Sequence, residues 1–304
     1  MKPTMLSRAQ AYLAERRALG FQLKVQGNLL LDFARYADSH GHRGPLTSQL
    51  AIQWACLPKQ AQRAYCAQRL AVVRLFAQHL WLTEPRTQLP PRHLFGPAFR
   101  RHPPHLYTPG QIAHILRRAS QLTGRLRPYT FQTLIGLLAC TGLRISEALH
   151  LKVGDVDWGQ SSLIVRQSKY GKSRIVPLHP TAIPPLRAYA RRRQNLFPLT
   201  EYFFVSERGH RLALSTVDHL FISLREGIPW GRRAPRLHDF RHTVACRVLQ
   251  RWQTGKRGAL DRLAVLSRFL GHTQVTDTYW YFTLFPQLAA ATVRRVGALS
   301  YENS

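Results

Sequence analysis

Over the first eighty residues, apolar positions recur every three to four residues, a spacing that predicts a series of amphipathic helices. Leu6, Gln10, Leu13 and Arg17 trace one face of the first, and Gly20 is placed to end it. A second passes through Val25, Leu29, Phe33 and Ala37. The run from Thr47 to Trp54 predicts a third, with Thr47 as its N-cap. A fourth, from about Pro58 to Leu80, sets Leu70, Val73, Phe76 and Leu80 on one face. No strand pattern interrupts them. Residues 84–105 then hold six prolines and little periodicity, which reads as a linker.

A new unit opens at Leu106-Tyr107-Thr108-Pro109. Thr108 can cap a helix, Pro109 fits its first position, and Gln111 stands where the partner of a capping box belongs. Helices are predicted near 109–121 and 128–140. Between 160 and 178 the period shifts: SSLIVRQ, the polar SKYGKS, then RIVPL, which predicts a β-hairpin. Residues 201–205, EYFFV, read as a further short strand, and helical patterning resumes to the end. The predicted fold is therefore mainly α with a small antiparallel β-sheet (α+β). Its parts are a helical domain over 1–83, a linker over 84–105 and a second domain over 106–304.

Length agrees, because 304 residues exceed what a single core usually serves. Charge adds a partner. The chain has 44 Lys and Arg against 15 Asp and Glu, a formal +29, and 45% apolar residues, so it is a folded cation and not a disordered basic tail. Residues 1–105 carry 15 basic and 4 acidic residues and the remainder 29 and 11, so both units are basic, as for a clamp on double-stranded DNA. A membrane is a poorer partner: no stretch approaches 18 uninterrupted apolar residues, and MKPTMLSRAQ lacks the apolar core of a signal peptide. A cytoplasmic, nucleoid-associated protein is expected. Cys56, Cys66, Cys140 and Cys246 have no metal-ligand spacing and read as reduced core cysteines.

Three short segments carry candidate chemistry. In Thr141-Gly142-Leu143-Arg144-Ile145-Ser146-Glu147 an Arg follows a Gly turn at a helix start, with Glu147 three residues on and on the same face. Taken alone, such a pair is a helix-surface ion pair. Leu237-His238-Asp239-Phe240-Arg241-His242 projects His238 and Arg241 together. Leu270-Gly271-His272 precedes the aromatic group Tyr279-Trp280-Tyr281.

In this order, with a Lys in the hairpin turn, the segments resemble the tyrosine recombinase (phage integrase) family over about 106–285. The helical opening is similar to the core-binding domain of transposon-borne integrases. The resemblance implies a site-specific recombinase in which a Tyr oxygen attacks a DNA phosphodiester, giving a 3′-phosphotyrosine and a free 5′-hydroxyl. It assigns Arg144 and Arg241 to the non-bridging phosphate oxygens, where negative charge concentrates. Lys169, preferred over Lys172, is implied as the acid for the leaving oxygen, and His238 as the base for the tyrosine. His272 is implied as a second imidazole on the phosphate, and Glu147 as support for the basic residues. Tyr279 and Tyr281 point about 200° apart on a helix, so only one reaches the pocket. Tyr281, nine residues after His272, has the family spacing and is the expected nucleophile, with Tyr279 and Trp280 packing.

No cofactor and no metal are expected: the chain has no Walker loop and no acidic cluster suited to Mg²⁺. The implied assembly is a tetramer on two duplexes passing through a Holliday junction, with sister recombinases of the same mobile element as candidate partners. A type IB topoisomerase-like relaxer and a catalytically silent DNA-binding descendant are the alternatives. One departure is the 34-residue interval from His238 to His272, longer than in compact relatives, with the surplus over 253–258. An amphipathic stripe from Pro286 through Val296 follows, and reads as an assembly element or as packing on its own domain.

Overall fold

The computed structural model describes residues 3–58, 60–98, 102–166, 173–230, 233–253, 262–272, 274 and 276–281. It divides into two compact units, one through His102 and one from Pro103. Among the described residues, helices dominate and the sheet has three short strands, the α+β class expected. No helix among them is long and apolar enough to cross a membrane.

The first unit is built from α1 (Met5–Ala18), α2 (Lys24–Ser39), α3 (Ser48–Cys56) and α4 (Arg63–Trp81). Thr47 caps α3 as predicted, accepting the Leu50 amide at 3.3 Å. Gly20 takes the left-handed conformation after α1 (φ 87°). A distant carboxylate helps start α1: Asp38 accepts the Met5 and Leu6 amides at 2.9 Å each, satisfying donors that a helix N-terminus leaves free. The core gathers Leu30, Phe33, Trp54, Val73 and Phe76. Arg69 is buried there with its guanidinium 3.7 Å from the centre of the Trp54 ring and bonded to the Trp54 carbonyl at 2.8 Å.

Three expectations are corrected in this unit. α4 begins at Arg63 and not at Pro58. Val25 is exposed, because the buried stripe of α2 runs through Gly27, Leu30, Phe33, Ala34 and Ala37. The proline-rich segment is not a free spacer throughout. Gln88 pairs with Leu46 and Ser48, the Pro90 carbonyl accepts from Arg74, and Phe95 packs on the core.

The second unit contains α5 (Pro109–Ser120), α6 (Arg127–Thr141), α7 (Ile145–Leu149), α8 (Ile183–Leu196), α9 (Leu214–Leu224), α10 (His238–Gln253), α11 (Leu263–Leu270) and α12 (Thr276–Tyr279). The capping box of α5 is complete: Gln111 N donates to Thr108 Oγ1 at 3.2 Å, and Thr108 N donates to Gln111 Oε1 at 3.0 Å. Thr108→Ala is expected to lose about 1 kcal/mol in a denaturant melt. The hairpin consists of β2 (Ser162–Val165) against β3 (Arg174–Pro177), with Val165 opposite Arg174, and β1 (Val156–Asp157) adds an unforeseen third strand. Residues 201–205 form no strand. Tyr202 makes a single bridge to Lys152 and Val205 one to Arg211, while Phe203, Phe204 and Val205 are all buried instead of alternating.

α6 packs against α5, α8 and α10. Tyr107 ties the unit's entry to α10: its ring stacks on Phe240 at 4.2 Å, its amide donates to Thr243 Oγ1 at 3.0 Å and its hydroxyl to the Arg236 carbonyl at 2.9 Å. Cys66 and Cys246 are buried, Cys56 and Cys140 exposed, and none is in a disulfide.

Candidate active site

The site is assembled where α6, α10 and α11 end or begin. α6 stops at Gly142, whose left-handed backbone (φ 64°) turns the chain and gives its amide to the Leu138 carbonyl at 3.0 Å. The turn delivers Arg144 to the N-cap of α7, as expected from the Gly-x-Arg pattern. Glu147, one turn on, accepts the Arg144 amide at 2.9 Å and its Nη1 at 2.8 Å. It also accepts both terminal nitrogens of Arg174, at 2.9 and 2.8 Å, a bidentate pair reaching in from β3.

α11 ends in a Schellman motif: the Gly271 amide donates to Arg268 O at 3.0 Å, and the His272 amide to Ser267 O at 2.9 Å. The three carbonyls that follow would be orphans, and each is taken by a different arginine. Arg174 Nε donates to Phe269 O at 3.0 Å, Arg241 Nη2 to Leu270 O, and Arg144 Nη2 to Gly271 O at 2.9 Å. Cations at a helix C-terminus also meet the negative end of its dipole. Arg241 reaches further, donating Nη1 to Gly142 O at 3.0 Å, so one buried guanidinium joins the Gly turns of two motifs.

Gly271 could be no other residue at little cost. Its φ is 69°, and a Cβ there would stand 2.6 Å from Arg174 Nη1. Gly271→Ala is expected to cost at least about 1–2 kcal/mol from the left-handed backbone alone. A thermal melt measures it, and an unchanged midpoint would mean that neither the left-handed backbone nor the Arg174 contact constrains position 271.

Tyr281 lies in the turn after α12 and is 2% exposed. Its hydroxyl is 3.1 Å from His242 Nδ1, and its ring is nearly parallel to that of His272 with centres 6.3 Å apart. His272 is held by Thr278, Nδ1 to Oγ1 at 2.7 Å. His238 starts α10 as an exposed residue, and its ring meets His242 edge-on at 4.7 Å.

Burial and positive charge act together on these groups. Desolvation, with Arg241 beside it, holds His238 down to about 4, and desolvation with Arg241 and Arg144 holds His272 down to about 3. His242 is pushed to about 3 by desolvation and then by His238. Burial raises the Tyr281 hydroxyl to about 12, although Arg241 and Arg144 pull the other way. Burial would raise Glu147 as well, but its bonds to Arg174 and Arg144 prevail and hold it at about 2.

Of the residues expected from sequence, Arg144, Glu147, Arg241, His272 and Tyr281 converge, and His238 flanks them. Lys169 and its competitor Lys172 lie outside the described residues, as do 254–258 and the stripe from 286. Tyr279 is not the core side chain expected: it is 49% exposed, while Trp280 is partly buried against the α10–α11 cluster. Two residues were not anticipated. In the sequence Arg174 reads only as part of a strand, and His242 only as the neighbour of Arg241. Among the described residues no group of three or more His, Cys, Asp or Glu is gathered to hold a metal ion.

Residues 107–287 match the phage integrase family. The chain is 37% identical over 305 aligned positions, 96% of its own length and 97% of the relative's, to a protein of Sinorhizobium fredii provisionally named integrase/recombinase y4rB. It is 27% identical to the tyrosine recombinase XerA of Pyrococcus horikoshii, across 62% of this chain and 60% of that one. Among solved structures, the Tn1549 transposon integrase in complex with transposon right end DNA superposes with a TM-score of 0.72 at 16% identity, over 97% of this chain and 100% of that one. A lambda integrase tetramer bound to a Holliday junction gives 0.64 at 17% identity, over 91% and 76%. With the match spanning more than half of the sequence, the chain belongs to the phage integrase family of tyrosine recombinases.

Proposed function

We propose that the chain is the site-specific recombinase of a mobile genetic element and that it cleaves and rejoins duplex DNA through a 3′-phosphotyrosine on Tyr281. The observation that carries this reading is the Tyr281 hydroxyl, held beside Arg241 in the same chain that supplies Arg144 and His272. Arg144 and Arg241 are tethered by backbone carbonyls, so they meet the charge that builds on the non-bridging oxygens without reorganising. His272 has Nδ1 engaged by Thr278, which leaves Nε2 for a phosphate oxygen. Lys169 protonates the departing 5′ oxygen. Glu147 fixes Arg144. Because the phosphotyrosine retains the energy of the phosphodiester, rejoining needs neither ATP nor metal.

DNA-bound states named for the structural neighbours support duplex DNA as the partner, and the Holliday-junction tetramer supports synapsis of four protomers. The helical unit over 1–83 acts as the core-binding domain, joined through 84–105 to the catalytic domain over 106–304.

The test uses a nicked suicide duplex carrying the terminal sequence of the element that encodes the chain, in EDTA and without nucleotide. A covalent adduct is expected, with the nucleotide mapped to Tyr281 by peptide mass spectrometry. No adduct on the true end sequence, or attachment to another residue, would overturn the assignment. Relaxation of plasmids lacking any such sequence would favour the topoisomerase-like alternative.

A further inference from the structure

Every nitrogen of the Arg174 guanidinium is engaged by the protein, and each bond ends on a group that supports the phosphate pocket. Nη1 and Nη2 donate to the two oxygens of Glu147 at 2.9 and 2.8 Å, and Nε donates to the Phe269 carbonyl at 3.0 Å. The side chain is only 10% exposed. Its guanidinium lies against Gly271, where a Cβ would stand 2.6 Å from Nη1, 2.7 Å from Cζ and 3.0 Å from Nε. The residue that follows is His272.

Arg144 has two anchors, and both lead to Arg174. Its Nη1 donates to Glu147 Oε1 at 2.8 Å, the oxygen that also accepts Arg174 Nη1. The parallel bonds from Arg174 set the rotation of that carboxylate, and so the direction in which Arg144 is drawn. Arg144 Nη2 donates to the Gly271 carbonyl at 2.9 Å, on the end of α11 that Arg174 holds through Phe269. Those two bonds fix the plane of the Arg144 guanidinium, and hence where its remaining N–H groups point. Resting on the reading of Arg144 as a phosphate ligand in a Tyr281 recombinase, we propose that Arg174 is a positioning residue that aims Arg144 at the scissile phosphate. It acts through Arg144, because its own nitrogens already have protein acceptors.

Only a guanidinium does this. Lysine offers a single point charge, which can neutralise Glu147 but cannot fork onto both of its oxygens and reach Phe269 as well. Loss of the fork therefore leaves the Glu147 charge balanced and lets the carboxylate rotate, taking Arg144 with it. A reacting geometry displaced by about 1 Å can cost a hundredfold in rate.

The charge on the phosphate separates aim from bulk stability. Nicked suicide duplexes carry either the ordinary phosphodiester or a methylphosphonate at the scissile position, where a methyl group replaces a non-bridging oxygen and removes the negative charge that Arg144 meets. On the phosphodiester, Arg174→Lys is expected to slow adduct formation by about 10- to 100-fold while DNA affinity stays within about twofold of the parent. On the methylphosphonate the variant is expected to run within about threefold of the parent, because an uncharged centre needs no well-aimed guanidinium. Arg144→Ala, which deletes the charge itself, should show the same dependence on substrate in stronger form, and its absence there would overturn both the assignment of Arg144 and the proposal. An equal loss of Arg174→Lys on both substrates, a normal rate on the phosphodiester, or a loss confined to DNA affinity would each leave Arg174 a brace for the fold and overturn the proposal. Should the lysine variant fail to fold, Arg174→Gln, which keeps a donor for Glu147 without the fork, is read in the same way, and if neither folds the proposal falls. The parent's attachment at Tyr281 is read on the same gels. Its absence overturns the earlier reading and this proposal together, whereas a failed ratio of variant to parent overturns the proposal alone.

Discussion

Tyr281→Phe is expected to abolish covalent attachment to DNA while leaving a folded protein that binds its site. The substitution removes one oxygen from a side chain that is 2% exposed. The ring belongs to a cluster formed by Ala245, Cys246, Leu249, Leu263, Leu266 and Leu270, and phenylalanine keeps those contacts. What is lost is the bond to His242 Nδ1, a net cost of about 1 kcal/mol, partly offset because a hard-to-ionise buried hydroxyl disappears too. The melting curve should therefore move little. Chemistry has no such reserve. Tyr279, two residues away, is half exposed, so no second phenol replaces the first in the pocket. A denaturing gel of labelled suicide duplex reads the adduct, and a gel shift and a melt read the rest. An adduct that survives in the variant would place the nucleophile elsewhere, and a collapsed melt would show that the hydroxyl serves the fold.

What could be read before the structure was local. Thr47, Thr108 with Gln111, and Gly142 act within one turn of where they stand, so their sequence neighbourhood contains the physics. The order of the Arg, His-x-x-Arg, Gly-His and Tyr segments was legible for the same reason, since each is set by a helix end. Arg174 and His242 escaped because their partners are remote: Arg174 meets Glu147 across 27 positions and Phe269 across 95, and His242 meets Tyr281 across 39. Nothing in RIVPL distinguishes a buried, doubly paired Arg from a solvated strand residue. The one available signal is that Arg174 shares a face of β3 with the buried Val176, two residues on. The segment 201–205 failed by composition. Aromatic and branched residues favour strands, but three consecutive buried side chains need core on every side, and a two-faced strand position does not supply it. The packing of Gln88, Pro90 and Phe95 within the linker was not legible, because proline content reports stiffness and turn chemistry and says nothing about whether a rigid segment lies against a helix.

Glu147→Gln is expected to cost about 3–5 kcal/mol of stability at neutral pH, more than any other substitution outside the core. The carboxylate is almost fully enclosed and accepts four hydrogen bonds, two from Arg144 and two from Arg174. Those same arginines hold the Gly271 and Phe269 carbonyls, so the charge at Glu147 underlies the end of α11 and the placement of His272. Glutamine keeps the shape but leaves two guanidiniums facing each other without a counter-charge, and it turns an acceptor into a donor against them. The sign with pH follows from the pKa, which falls from its ordinary 4.5 to about 2 in the folded chain. A depressed carboxylate contributes stability that is fully present above about pH 4.5 and is lost as pH falls toward 2. The gap between parent and variant should therefore be widest near pH 7 and close progressively below pH 4.5. Denaturant melts at several pH values measure it. Arg174→Met added to Glu147→Gln should recover part of the loss, because removing both members of a buried pair is far less costly than stranding one. A gap that did not change with pH, or a double variant weaker than the single, would mean that Glu147 acts through shape and not through charge, and that the arginine clasp on α11 does not depend on it.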